Sequence, residues 1–120
     1  MTNGSINKFD LEERTAKFGE EVLKFSRKIP KDVTNIPLIG QLVKSGTSVG
    51  ANYCEADDAE SRKDFRHKIG ICKKEARESK HWLRMIAVAN PDLRNDSAKL
   101  WQEAKELNLI FNSIVNKLNN

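Results

Sequence analysis

The chain has 120 residues, with 21 Lys and Arg against 17 Asp and Glu for a net charge of +4. That length suits one domain with a real core and is too short for two, and the charge is a mild tilt toward polyanions, short of a nucleic-acid signature. The opening MTNGSINKFD lacks the charged-then-apolar order of a secretory leader, and no stretch approaches the apolar length of a membrane span, so a cytoplasmic protein without membrane contact is expected.

Residues 1–9 read as a flexible lead into one domain, 10–118. In the first helix, about 10–29, Leu11, Thr15, Phe18, Val22, Phe25 and Ile29 alternate in steps of four and three, which keeps one stripe against a partner. Asp10 with Glu13 gives a capping-box start and Pro30 a stop. The second helix, about 36–55, opens near Pro37 and carries Ile39, Leu42, Val43, Val49 and Tyr53. It ends in the acidic run EADDAE, which reads as a solvated turn because it lacks the ligand spacing of a calcium loop.

Ser61 with Asp64 repeats the capping box and opens the third helix, about 61–89, on the track Phe65, Ile69, Cys72, Ala76, Ser79, Leu83 and Ile86. Asn90 and Pro91 break it. The fourth helix, about 97–118, carries Leu100, Ala104, Leu107, Phe111, Ile114 and Leu118. With no strand pattern, the expected class is all-α, an antiparallel up-down four-helix bundle.

Within the second helix, KSGTSVGANYCE places Gly46 and Gly50 one turn apart, where each costs about 0.5–1 kcal/mol relative to alanine. Packing is the natural compensation, since small residues let a neighbouring helix come close. A hairpin pivoting near residue 58 would set Gly46 against Ile71, Gly50 against His67, Ser45 near Cys72 and Lys44 near Lys73 to Glu75. It would also set Cys54 beside Lys63, far along the axis from Cys72, so both cysteines are expected as free thiols.

Several residues fall outside the core tracks. Ile71, Glu78, Trp82 and Met85 make a second line on the third helix, and Trp101 adds to it from the fourth; this set either widens the buried face or forms a subunit contact. Lys44, Ser45, Ser48, Asn52, Glu55 and Glu75 suggest a structural network of polar groups between helices.

Positive charge concentrates between residues 61 and 89, where nine Lys and Arg face three acids for a net +6, leaving −2 for the remainder. Lys63, Arg66, His67, Lys74, Arg77, His81 and Arg84 recur at helical spacing opposite the core track. The stripe is either solvated surface or a footprint for RNA phosphates, and no aromatic residue lies on it to stack a base. Arg62 and His67 form R-x-x-x-x-H, which resembles the short motif of HEPN-type ribonucleases, although it opens a helix here. No Gly-rich phosphate loop, Ser-His-Asp arrangement or Cys/His metal cluster is present, so no metal, cofactor or small-molecule substrate is expected.

The stretches QLVKSGTSVGANYCEA and SRKDFRHKIGICKKEARESKHWLRMI resemble the four-helix-bundle family of bacterial 23S rRNA intervening-sequence proteins. The matching pattern is Lys44, Ser45, Ser48, Ala51, Asn52 and Glu55, continued by Ser61, Phe65, Glu75, Glu78, Trp82 and Leu83. Gly46 and Gly50 depart from it, since relatives often have alanine or another small residue at one or both places. The resemblance implies a homo-oligomer, commonly a pentamer, shaped as a tapered barrel with a basic surface. A similar fold occurs in the accessory protein of diversity-generating retroelements, which binds a reverse transcriptase and nucleic acid.

The resulting expectation is a non-enzymatic oligomer that binds RNA or a ribonucleoprotein through the third helix. Two alternatives stand beside it: a protein scaffold or adaptor that does not bind nucleic acid, and a HEPN-like ribonuclease using Arg62 and His67.

Overall fold

A computed structural model describes residues 8–119 of the protein. Four helices follow one another, α1 (Lys8–Ser26), α2 (Asn35–Asp57), α3 (Arg62–Ala89) and α4 (Arg94–Asn119), with a 3-10 turn at Pro91–Leu93. Among the described residues there is no strand. Successive helices pack on each other through short connections, and α4 returns against α1 to close an up-down bundle. The long dimension of 44 Å is the length of α3, whose 28 residues rise about 42 Å. The expected lead at residues 1–7 lies outside the described residues, while Lys8 and Phe9 are already helical.

The heptad tracks are the seams of the bundle. Leu11, Thr15, Phe18, Val22, Phe25 and Ile29 of the first track are all buried, as are Ile69, Cys72, Ala76, Ser79, Leu83 and Ile86 of the third. Phe18, Phe111, Leu42, Leu83 and Leu107 fill the centre. Every buried side-chain nitrogen or oxygen among the described residues has a hydrogen-bond partner. Thr15 shows how: its hydroxyl donates to the Leu11 carbonyl at 2.7 Å, inside its own helix.

Helix ends differ from the sequence expectation in instructive ways. α1 stops at Ser26 instead of residue 29, because Lys28 and Ile29 donate to the Phe25 and Ser26 carbonyls, three residues back, as the chain tightens before Pro30. Ile29 stays buried even so. Asp32 serves the start of α2, its Oδ1 accepting from the Thr34 and Asn35 amides at 3.1 and 2.8 Å. The run PDLRNDS is not a loop: Pro91 opens the 3-10 turn and α4 begins at Arg94, three residues early. The Ser61 hydroxyl accepts from the Asp64 amide at 3.0 Å, as a cap should.

At the end of the bundle near Pro30 and Pro91, a buried amide pair joins the two connections there. Asn35 Nδ2 donates to Asn90 Oδ1 and Asn90 Nδ2 donates to Asn35 Oδ1, each at 2.9 Å. Asn35 also donates to the Pro30 carbonyl and Asn90 to the Ile86 carbonyl. Both side chains are therefore held on two sides, and the pair fixes how α2 leaves α1 and how α4 leaves α3.

The α2–α3 hairpin register differs from the one expected. α2 runs on to Asp57, so the pivot lies near residue 60, and Ser45 meets Ser79, two turns further along α3 than Cys72. Cys72 instead donates to the Val49 carbonyl at 3.6 Å. The glycines consequently face another neighbour. A methyl on Gly46 would sit 2.9 Å from both methyls of Val22, and one on Gly50 would sit 3.3 Å from the Thr15 carbonyl group, so α1 is the helix they admit. The expected partners on α3, Ile71 and His67, are not involved.

This register also changes why the cysteines stay apart. Cys54 is exposed on α2 while Cys72 points into the core, and both are free thiols. Burial pushes the Cys72 thiol up to about 12.

Two outcomes follow from this packing. In urea denaturation, Gly40→Ala gains about 0.5–1 kcal/mol because nothing lies within 4 Å of the new methyl, whereas Gly46→Ala loses about 1–3 kcal/mol and Gly50→Ala gains nothing; a stabilised Gly46→Ala would contradict the α1–α2 contact. With a disulfide reagent at pH 8, one thiol per native chain reacts and two react in denaturant, since the Cys72 thiolate is scarce and shielded.

Candidate nucleic-acid interface

α3 is gripped on both flanks, by α2 on one side and α4 on the other, so its third side faces outward. Lys63, Arg66, His67, Lys74, Arg77, His81 and Arg84 are all exposed there, opposite the buried seam. The other cations of α3 are turned toward its neighbours. Lys68 pairs with Glu55 of α2 at 2.7 Å, which lifts the lysine and lowers the carboxylate relative to their ordinary values. Arg62 donates to the Leu118 carbonyl at 3.3 Å and Arg66 to Asn119 Oδ1 at 2.9 Å, so both hold the end of α4.

Among the described residues, Lys63, Lys74, Arg77 and Arg84 form no ion pair. They line two shallow hollows between α3 and α4. One, of about 600 Å³, has Lys63, Arg66, His67 and Lys74 over an apolar floor of Ile71 and Val115. The next, of about 530 Å³, has Lys74, Arg77, His81 and Arg84 around Trp101.

Trp101 was expected on the apolar line and lies elsewhere. It projects from α4 into the cationic hollow, with Lys80 Nζ 5.5 Å and Lys105 Nζ 5.7 Å from its ring centre. The stripe on α3 thus acquires an aromatic residue from the adjacent helix. Spacing along α3 alone could not reveal it; the signal was a tryptophan beside the core track of α4, with lysines on both elements.

The rest of the apolar line occupies the opposite flank of α3, toward α2. Ile71, Trp82 and Met85 are half-buried and Glu78 is exposed. Trp82 meets the His81 ring edge-on at 4.8 Å. Glu75 lies nearby, its carboxyl raised above the usual range by burial first and Glu78 second, with Lys74 and Lys44 acting in the other direction.

The expected interhelical polar network is mostly several local bonds. Ser48 donates to the Lys44 carbonyl at 2.6 Å and Asn52 to the Ser48 carbonyl at 2.8 Å, both within α2. Only the buried hydroxyls of Ser45 and Ser79, 2.9 Å apart, bridge α2 and α3 inside the core. The shifted register is the reason, since it separates Ser45 from the vicinity of Cys72. Lys44 is exposed, and Glu55 serves Lys68 instead.

Arg62 and His67 do not converge. Five residues apart, they project about 140° from each other around α3, and Arg62 is turned to the last turn of α4. No group of three or more His, Cys, Asp or Glu side chains among the described residues is placed to hold a metal ion. None of the described helices is long and apolar enough to cross a membrane.

Comparison with known proteins matches the fold and the motif residues to one group. A crystal structure from Bacteroides thetaiotaomicron, described as a protein with unknown function from the S23 ribosomal protein family, is similar with a TM-score of 0.80 and 28% identity, over 88% of this chain and 97% of that one. No curated protein matches significantly. Residues 7–113 match the family described as 23S rRNA-intervening sequence protein, which includes all of α1, α2 and α3 and most of α4. The chain belongs to the 23S rRNA-intervening sequence protein family.

Proposed function

We propose that the protein is a non-enzymatic, cytoplasmic RNA- or ribonucleoprotein-binding bundle that works as a homo-oligomer, with a pentamer as the expected assembly. The observation that carries the RNA reading is the run of exposed cations on α3, four of which lack an ion-pair partner among the described residues. Chain-internal partners would have neutralised them cheaply, as Glu55 does for Lys68. Left free, they suit a polyanion whose condensed counterions are released on binding. Repetition of the stripe around an oligomer would multiply the contacts.

The oligomer reading rests on the other flank of α3. Ile71, Trp82 and Met85 present apolar surface there, and Val88 beyond them is 74% exposed. Such a surface on a small bundle is of the kind that subunit contacts cover. The same surface supports a second reading, a scaffold that recruits another protein and has no nucleic-acid role.

Charge reversal separates the two readings. Lys74→Glu, Arg77→Glu and Arg84→Glu together should abolish RNA binding at 50 mM salt, and leave helicity unchanged because all three side chains are exposed. For the native protein, with about four phosphates of a single strand neutralised, affinity should fall about 50-fold between 50 and 200 mM salt. No binding at low salt, or binding indifferent to salt, would overturn the RNA reading.

Sedimentation checks the assembly. The native chain should run as an oligomer at micromolar concentration, and Ile71→Asp with Met85→Asp should shift it to monomer with the helical signal retained. A native chain that is monomeric there would remove the α3 contact from consideration.

A further inference from the structure

We propose that the hollow around Trp101 is a subsite for one unpaired RNA base, stacked on the indole ring while Arg77 and Arg84 hold the phosphates on either side of it. The inference rests on the RNA reading of the same cationic surface and adds a ligand class to it: single-stranded RNA in preference to duplex.

Three observations converge on this. First, Trp101 is placed on the α3–α4 groove and not in the core, half-buried at the base of a hollow of about 530 Å³ that is wide enough for a flat heterocycle. Second, the rim is cationic: Lys74, Arg77, His81 and Arg84 are exposed around it. Between Lys74 and Arg84 the rim spans about 15 Å of helix rise, the scale of a few nucleotides. Third, the ring already attracts cations, with Lys80 and Lys105 at 5.5 and 5.7 Å from its centre.

Those lysines are held by the electron-rich ring and by nothing else among the described residues. A base arriving on the ring releases them, and each ammonium is then beside the phosphates that the base brings with it. Stacking on an aromatic residue is the stronger of the two contacts, so the exchange favours the base. A duplex offers no such partner. Its bases are stacked on each other, and the major groove of A-form RNA is too deep and narrow for a side chain to enter.

Any base has a face to stack, so the subsite reads single-strandedness and not sequence. A peptide partner fits less well, because the hollow is ringed by free cations with one acid, Glu78, among them.

The test uses the full chain and three labelled probes read by fluorescence anisotropy: a 12-residue oligouridylate, a 12-base-pair RNA duplex, and inorganic polyphosphate, which carries the charge without bases. Trp101→Leu should weaken oligouridylate binding about 5- to 100-fold, the range for loss of one stacked base, and leave duplex and polyphosphate binding unchanged. Trp101→Phe keeps an aromatic face and should retain most of the affinity, which guards against a folding defect in the leucine variant.

Full oligouridylate affinity in Trp101→Leu, with binding still lost on reversal of Lys74, Arg77 and Arg84, would overturn the stacking site and leave the electrostatic reading standing. An equal loss for all three probes would also overturn it, since the indole would then act only by shaping the groove. A native chain that binds none of the probes would take down the RNA reading itself.

Discussion

The burial of one stripe of α3 governs the molecule. Ile69, Cys72, Ala76, Ser79, Leu83 and Ile86 are fully buried, and α3 touches both α2 and α4 along that side. An unpaired cation in this seam would cost several kcal/mol, so nine Lys and Arg in one helix can be tolerated only if each leaves the core. Helical periodicity then permits few directions. Toward α2 and α4 the cations find carboxylate, carbonyl, amide or indole partners, and on the remaining side they meet only solvent or a ligand. Crowding like charges at i, i+4 destabilises a helix by a few tenths of a kcal/mol per pair, a strain that the burial of so many apolar groups easily exceeds.

The bundle closes unevenly around that helix. α1 leans on α2 through the gap left by Gly46 and Gly50, where Val22 and the Thr15 backbone come within a methyl's reach. Against α4 it is held by charge: Arg14 donates to Glu103 at 2.8 and 2.9 Å and to Glu106 at 2.9 Å, and Lys28 reaches Asp96 at 3.1 Å. The hydrogen bond to Glu103 is the largest influence holding Arg14 above its ordinary value. Both Arg14 and Glu103 are about a third exposed, so solvent moderates what that fork contributes to stability. Packing fixes three of the helix pairs and ion pairing trims the fourth.

How much of this was legible in the residues depends on the distance over which a contact acts. The seams were legible because each is a period within one helix, and Ser61 with Asp64 because a cap is local. The hairpin register was not, since it depends on how far α2 continues into EADDAE: two more residues of helix moved Ser45 by two turns of α3 and exchanged the glycines' neighbour. The pairing of Asn35 with Asn90 spans 55 positions and leaves no periodic trace. Trp101 belongs to the same class: its neighbours on the page are on α4, while the neighbours that give it a role are Lys80, Arg77 and Arg84 on α3.

The two outer flanks of α3 have different chemistry, and that separation bears on how the proposed activities fit together. Ile71, Trp82 and Met85 lie toward α2, beside the Glu75 carboxyl that burial has already raised; Lys74, Arg77 and Arg84 lie toward α4, around Trp101. A subunit docking on the α2 flank would desolvate Glu75 further and leave the cations in water. Cations kept in water retain their condensed anions, and the release of those small ions is what makes a polyanion bind. At the indole the balance is equally local: a lysine over an exposed ring is worth about 0.5–1 kcal/mol, a stacked base about 1–3 kcal/mol. Assembly on one side and ligand exchange on the other therefore draw on different groups of the same helix, and neither has to be undone for the other to occur.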